Sequence, residues 1–492
     1  MSHTDFYFKF NQDALDTIDT SNIEQIINSH PVFIPVVKAG EELHIDSYVI
    51  GGWVRDLFLG RPSKDVDIVT SDSGIALAQR TASILGDLPV SIFKNFGTAM
   101  IKSNAIEYEF VGARKESYSK ASRNPEVAPG TIDDDQKRRD FTINTLSIAL
   151  TGPNQGKLLD PFNGIKDLKN GILKTPLDPI QTFSDDPLRM MRAIRFASQF
   201  NFKIDEIAFE AISSQRERIS IISKERIVVE LEKIMSSPRP SIGFNLLEKS
   251  GILNLLIPEL TALKGVSEED GQSHKENFYH TLEVVDNIAK NTNNVWLRYA
   301  ALFHDIGKAP TKRFDKKVGY TFHGHEALGA KMISKIFKRL KLPLDHKLKF
   351  VKKMVFLSSR PIALINDNVS DSGVRRLLFD AGEDINDLMI LCDADITSKN
   401  PYRVKKYKQN FVRVRHKMNE VEERDQVSNF QPPISGETII DTFNLKPCKE
   451  IGIIKAQIKE AILEGQIKND PKEALELMYK IGTEMGFNIV KA

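Results

Sequence analysis

The chain has 492 residues, room for roughly three domains at about 100–200 residues each, and a hydrophobic content of 41%, enough for substantial cores. Its 68 basic and 66 acidic residues leave a net charge of +2, so the overall field does not announce a polyanion binder, and such binding has to come from local patches. Two cysteines, Cys392 and Cys448, give neither a disulfide framework nor a metal-ligand pair, the N-terminus MSHTDFYFKFNQ lacks a secretory signal's basic and apolar regions, and no apolar run is long enough to span a bilayer, so a cytoplasmic protein with no membrane contact is expected.

Residues 1–45 read as a polar helical segment interrupted by Pro31 and Pro35. From 46 to 150 short β-like runs alternate with helical ones. Strands are expected at Ser47–Ile50, Val66–Val69, Ser91–Phe93, Thr98–Lys102 and Glu107–Ala113, and helices at Trp53–Leu59 and Gly74–Leu85. Together they make an α/β head, a mixed sheet with helices on one side. After the first strand comes Gly51-Gly52-x-x-Arg55, where the missing side chains let backbone N–H groups approach a phosphate. The expected helix after it turns its positive end the same way. In Asp65-Val66-Asp67, residues two apart on a strand point alike. Two carboxylates therefore aim at one spot and repel unless a cation joins them, and hard oxygen ligands suit Mg²⁺. Glu107 and Glu109 share one face of the last strand, and one of them is a candidate third carboxylate. Asp133-Asp134-Asp135 falls in a polar stretch without periodicity. In Arg138-Arg139-Asp140-Phe-Thr-Ile-Asn144, two arginines suit triphosphate oxygens, Asp140 can orient an arginine, and Asn144 can reach a ribose hydroxyl.

From about residue 183 the pattern is helical. Asp186-Pro187 reads as a helix cap followed by proline in the first turn. Arg189, Arg192 and Arg195 recur every three residues along one stripe that suits phosphates. Arg226 and Glu230 form an i, i+4 supporting pair. Turns or hinges are expected at Pro238-Arg-Pro240 and Gly265–Ser273. His280, His304-Asp305, His325 and Asp395 form a separate constellation, with His323 able to replace or join His325. Adjacent His-Asp in an apolar helix is costly to bury unpaired, and a metal satisfies both. Arg403–Lys417 interleaves basic residues with Tyr407 and Phe411, as either an exposed helix face or a nucleic-acid patch. The tail, from Ile434 through the amphipathic helix Ile453–Leu463, carries no catalytic signal.

These motifs, in this order, resemble the class II tRNA nucleotidyltransferase and bacterial poly(A) polymerase family, whose head is related in fold to DNA polymerase beta. The resemblance implies an N-terminal helical segment (1–45), a polymerase-beta-like nucleotidyltransferase head (46–150), an all-α neck and RNA-binding region (151–265), an HD-type helical domain (266–400) and a helical tail (401–492). It implies addition of CCA to the 3′ end of tRNA from CTP and ATP, with pyrophosphate released. Asp65 and Asp67 would hold Mg²⁺; Gly51, Gly52, Arg55 and Arg138 would hold the triphosphate. Glu109 stands where the family often has an acid before a strand-end arginine, here Arg114. The stretch around Arg123–Val127 and Asp133–Asp135 resembles the family's flexible loop and favours full CCA addition. Asp186 and Arg189 occupy the positions of its nucleotide-reading pair. A carboxylate accepts from the amino group of cytosine or adenine while a guanidinium donates to the ring nitrogen; uracil and guanine reverse both partners. Asp185 departs from the family's usual Glu and keeps the charge. His304-Asp305-x-Gly-Lys308 resembles an HD-type domain, whose metal-dependent members hydrolyse phosphate esters, and implies a divalent transition metal there. The rivals are a poly(A) polymerase or an enzyme adding part of the CCA end, an HD phosphohydrolase with a nucleotide-binding head, and a catalytically silent RNA-binding protein.

Overall fold

A computed structural model describes residues 23–94, 97–117, 126–264, 276–366, 370–397, 400–425, 427 and 433–490. Residues 1–22, the loop residues 123–125 and the expected hinge at 265–273 lie outside the described residues. The chain divides into two compact units, Met1–Leu255 and Leu256–Ala492.

In the first unit, strands β1 (Ser47–Ile50), β2 (Asp65–Thr70), β3 (Val90–Phe93), β4 (Thr98–Ser103) and β5 (Ile106–Gly112) fall within a residue or so of expectation. Strands β6 (Arg114–Ser117), β7 (Glu126–Pro129), β8 (Ser147–Ala149), β9 (Leu158–Leu159) and the short parallel pair β10 (Ile172–Leu173) and β11 (Lys203–Ile204) are not foreseen from the sequence. Charged or very short runs carry no alternation to read. The main sheet has the order β3-β4-β5-β2-β1-β8-β9, and β6 pairs with β7 apart from it. It is mixed, with β2 antiparallel to β1 and parallel to β5. Val66, Ile68, Tyr108 and Phe110 point into the core. The helix Gly74–Ile84 is capped by the Ser73 hydroxyl and buries Leu77, Ala78 and Ala82, covering β4 and β5.

Two expectations are corrected here. The described part of the N-terminal segment is amphipathic, not polar: helices Ile23–Ser29 and Phe33–Leu43 bury Ile23, Ile27, Phe33 and Val36. Pro35 sits in the first turn of the second helix, where its missing N–H costs nothing. The polar stretch before Arg138 contains β7 and the helix Ile132–Lys137, started by a capping box between Thr131 and Asp134.

The helix Leu188–Phe200 buries Met190, Met191, Ala193, Ile194 and Ala197 against helices Lys224–Met235 and Pro240–Lys249. The expected hinge at 238–240 is a pinned turn: the Ser198 hydroxyl lies 2.7 Å from the Ser237 hydroxyl and donates to the Arg239 carbonyl at 3.0 Å. Glu230 pairs with Arg195 at 3.0 Å. Arg226, its expected partner, is exposed, because Arg195 offers a buried ion pair where Arg226 offers a solvated one.

Among its described residues the second unit is helical apart from a hairpin, β12 (Arg313–Asp315) and β13 (Gly319–Thr321). The basic run lies on the helix Pro401–Asp425. There Phe411, Val414, Met418 and Val421 are core, whereas Tyr407 is exposed. Tail helices Gly436–Phe443, Lys449–Glu464 and Pro471–Glu484 close on Ile439, Ile454, Ile458 and Met478. Among the described residues no helix is long and apolar enough to cross a membrane.

Candidate active site and metal centre

The register of β2 on β5 sets Asp65 opposite Glu107 and Asp67 opposite Glu109, so all four carboxylates lie on the face away from Val66, Ile68, Tyr108 and Phe110. Lys102 neutralises Glu107 at 3.1 Å, which singles out Glu109 as the acid left beside Asp67. Burial, and then the Asp67 charge, raise the Glu109 pKa against the pull of Arg114. Burial likewise raises Asp67, with Asp135 and Asp65 adding to it and Arg139 and Arg138 opposing. Such a like-charged cluster is the donor set of a hard divalent cation, so Asp65, Asp67 and Glu109 fit Mg²⁺.

Above them lies Gly51, with φ +82° and its N–H bonded to the Leu146 carbonyl at 3.0 Å. A Cβ at Gly51 would stand 2.5 Å from Arg139 Nη1 and 3.5 Å from Asp67 Oδ2. The Arg139 guanidinium therefore spans the glycine turn beside the acidic face. Asp135, fully buried, holds it there. Its Oδ2 accepts from Arg139 Nε at 3.1 Å and its Oδ1 from Arg138 Nε at 2.9 Å. Arg138 also pairs with Glu116 at 3.0 Å, and Glu116 with Arg114 at 3.0 Å. Asp135 stood in the sequence only as part of an acidic run. The capping box was the missed signal: it starts a helix that sets Asp135 three and four residues before the two arginines.

Other expected binding residues face one another. Arg55 donates from Nε and Nη2 to Asp56, each at 2.9 Å, and from Nη1 to Asn144 Oδ1 at 2.7 Å. Its guanidinium lies 5.1 Å from the Phe196 ring centre and 4.9 Å from that of Phe200. Asn144 Nδ2 donates to Asp140 at 2.9 Å, and Arg192 Nε donates to Asp140 at 2.7 Å. Burial opposes the Asp140 charge, but Arg192, Asn144 and Arg189 outweigh it and hold its pKa at about 2. Arg55 and Asn144, expected at the triphosphate and the ribose, are here bonded to each other, and with Asp140 and Arg192 they brace the helix Gly52–Phe58 against the helix Leu188–Phe200.

The arginine stripe turns inward too. Arg189 Nη2 donates to the Arg138 carbonyl at 2.6 Å, and Arg195 takes Glu230. Arg195, expected on a phosphate-facing stripe, is 7% exposed. Asp186 accepts from the Leu188 N–H at 3.1 Å, a capping bond. Gln181 holds Asp185 at 2.5 Å. Arg189 thus adjoins the backbone that carries Arg138.

The second unit holds the His-Asp cluster. His280 comes from the helix Asn277–Asn291, His304-Asp305 follow the helix Val295–Phe303, His325 opens the helix His325–Leu340, and Asp395 ends the helix Ile385–Asp395. The ligand atoms of His280, His304 and Asp395 lie within 4.8 Å of one another. Asp305 is 3.4 Å from His304 Nε2 and 3.8 Å from His325 Nε2. Each ring has its Nδ1 engaged: His304 with the Ala301 carbonyl at 2.8 Å, His325 with the Phe322 carbonyl at 2.9 Å, His280 with the Thr397 hydroxyl at 2.8 Å. The Nε2 atoms of His280 and His304 then face both Asp305 and Asp395, and that of His325 faces Asp305, the outer-shell pattern of metal-binding imidazoles. His304 Nε2 is buried 3.4 Å from Asp395 Oδ1 without a well-aligned hydrogen bond, and His280 Nε2 approaches the same oxygen at 2.9 Å; a metal would take all three as ligands. Burial opposes an imidazolium at His304, but Asp305 and Asp395 outweigh it and lift its pKa to about 10. His323 is exposed, so His325 takes the place left open between them.

Residues 47–174 match the family described as Poly A polymerase head domain, residues 201–264 that described as probable RNA and SrmB-binding site of polymerase A, and residues 277–400 the HD domain. The Multifunctional CCA protein of Tolumonas auensis is 30% identical over 375 residues, 73% of this chain and 86% of that protein. The mitochondrial CCA tRNA nucleotidyltransferase of Saccharomyces cerevisiae is 37% identical over 229 residues, 42% of this chain and 41% of that protein. An apo CCA-adding enzyme shares the fold at TM-score 0.61 and 20% identity, covering 96% of this chain and 99% of that one. On the extent of these matches, the chain belongs to the family of CCA tRNA nucleotidyltransferases that includes the multifunctional CCA proteins.

Proposed function

We propose that the chain adds CCA to the 3′ end of tRNA from CTP and ATP and releases pyrophosphate. The observation that carries this is the acidic face of Asp65, Asp67 and Glu109 lying directly under the Gly51 turn and the Arg139 guanidinium. Asp65 and Asp67 would hold Mg²⁺, which when bound would lower the pKa of the RNA 3′-hydroxyl and offset the charge of the leaving pyrophosphate. Glu109 shares the charge of that site. Arg138 and Arg139, fixed by Asp135, meet the triphosphate with a preset geometry, so little order is lost on binding. Asp140, Asn144, Arg55 and Arg192 hold the two helices that flank the nucleotide. Asp186 and Arg189 read the pairing edge of the base. In this reading residues 46–150 are the catalytic head, 151–265 the neck, 266–400 the HD domain and 401–492 the tail. Free thiols at Cys392 and Cys448 suit a cytoplasmic setting.

A tRNA lacking its 3′ end, incubated with each nucleotide in turn, tests the assignment. Ordered incorporation of two cytidines and one adenosine supports it. A growing adenosine tail makes the chain a poly(A) polymerase instead. A second activity, hydrolysis of phosphate esters at a divalent transition metal, is favoured by the Nε2 atoms of His280, His304 and His325 gathered around Asp305, the first two also beside Asp395.

A further inference from the structure

The hairpin β12–β13 leaves and re-enters the fold at the His-Asp centre. Before it stands Lys308, whose ammonium lies 2.7 Å from Asp305. After it stands His325, whose Nε2 lies 3.8 Å from the same carboxylate. Both feet are thus fixed at one residue of the metal centre. Each strand adds three residues, about 10 Å of reach at 3.3 Å per residue.

What the hairpin presents is not what solubility alone would ask for. Phe314 and Tyr320 are direct partners in the ladder and share a face, with ring centres 5.3 Å apart. Phe314 is 53% exposed. The Lys312 ammonium lies 4.1 Å from the Tyr320 ring centre. Lys316 and Lys317 occupy the exposed tip and Arg313 the exposed first strand. The single acid, Asp315, is turned onto the turn itself, accepting from the N–H groups of Lys317 at 2.7 Å and Val318 at 3.2 Å. An exposed Phe314 ring beside the half-buried Tyr320, among four cations and with the one acid holding its own turn through Oδ1, makes a surface that stacks bases and neutralises phosphates.

We propose that the hairpin Arg313–Thr321 is an arm that binds single-stranded RNA and lays the strand's phosphate at the His-Asp centre. Its substrate class is then a polynucleotide phosphate ester rather than a free mononucleotide. The inference rests on reading that centre as one that meets phosphate esters. A small ester needs no platform projecting from the site; a strand does.

Photocrosslinking tests this on the full chain. The probe is a single-stranded RNA of mixed sequence containing 4-thiouridine, with the crosslinked residues mapped by mass spectrometry. Crosslinks are expected within 313–321. Lys316→Gln together with Lys317→Gln should lower their yield about fivefold or more, the scale of losing two phosphate contacts, while crosslinks to the first unit keep theirs. Phe314→Leu keeps the hairpin apolar but removes a stacking face, and should reduce the same crosslinks. Absence of crosslinks in 313–321, or a yield indifferent to all three changes, overturns the proposal. Hydrolysis of bis(p-nitrophenyl) phosphate by the Mn²⁺-loaded protein is read in parallel. Crosslinks in the hairpin with no hydrolysis of the small ester or of the RNA would remove the hydrolase reading and leave the RNA-binding arm standing.

Discussion

Arg139 rests against the α-carbon of Gly51: a methyl group there would meet its Nη1 at 2.5 Å, with Asp67 Oδ2 at 3.5 Å. The contact ties a backbone conformation to the aim of a cation, since φ +82° at Gly51 is one that residues with a Cβ rarely adopt. Gly51→Ala should lose about 1–3 kcal/mol of stability from backbone strain and displace the guanidinium. KM for CTP should rise more than tRNA affinity falls. Thermal unfolding and steady-state incorporation give the two halves; an unaltered KM would mean that Arg139 is not at the triphosphate.

Asp135 is the support behind that cation. Removing its charge leaves Arg139 without its carboxylate and Arg138 with Glu116 alone, and breaking a buried pair costs about 3–5 kcal/mol; the partial exposure of both arginines lowers the figure toward about 2. Asp135→Asn should therefore be destabilised and slow with both CTP and ATP. If Asp135 acts through Arg139, then Arg139→Gln should add little to the Asp135→Asn defect. A fully additive double variant would show that Asp135 only stabilises the fold.

Asp65→Ala and Asp67→Ala should each abolish nucleotide addition while tRNA binding persists, because both side chains leave the sheet on its outer face. Gel-shift and incorporation assays on the same preparations decide this. Near-normal incorporation by either variant contradicts the metal assignment.

At the second centre, His304→Ala and Asp305→Ala should lose bound metal, read by elemental analysis, and any phosphohydrolase activity. CCA addition should remain, since the carboxylates proposed for it lie in the other compact unit. Wild-type protein that takes up no Mn²⁺, Co²⁺, Ni²⁺ or Zn²⁺ would leave the cluster a structural one.

The sequence made the acidic face legible because a strand's two-residue period leaves no choice about where Asp65, Asp67 and Glu109 point once Val66, Ile68 and Phe110 are buried. It made His304-Asp305 legible because charge in an apolar helix needs a partner. It could not say which polar groups spend themselves on one another. Arg55 and Asn144, expected at the ligand, stand 89 positions apart in sequence and 2.7 Å from each other in the fold. Strands β6 and β7 stayed hidden for another reason: Arg-Lys-Glu-Ser pairs through its backbone and has no apolar face to betray it.

The last prediction concerns base choice. Asp186 already accepts the Leu188 N–H at 3.1 Å, so capping accounts for one of its oxygens and leaves the other to be explained. If that oxygen accepts from the amino group of cytosine or adenine, its loss should relax discrimination more than it weakens triphosphate binding, which Arg138 and Arg139 supply. Asn separates the two roles, because it caps a helix about as well as Asp while offering an amide donor to a carbonyl. Under capping alone, Asp186→Asn keeps its CTP/UTP ratio. Under base reading it admits UTP, because the uracil carbonyl now meets a donor instead of a carboxylate. A site built to pair a polar edge can discriminate by a factor on the order of 10⁴, so even partial relaxation should be visible in incorporation of all four nucleotides by the Asn variant. An unchanged ratio, with thermal stability within about 0.5 kcal/mol of wild type, would leave Asp186 a cap and return base selection to Arg189 and the residues around it.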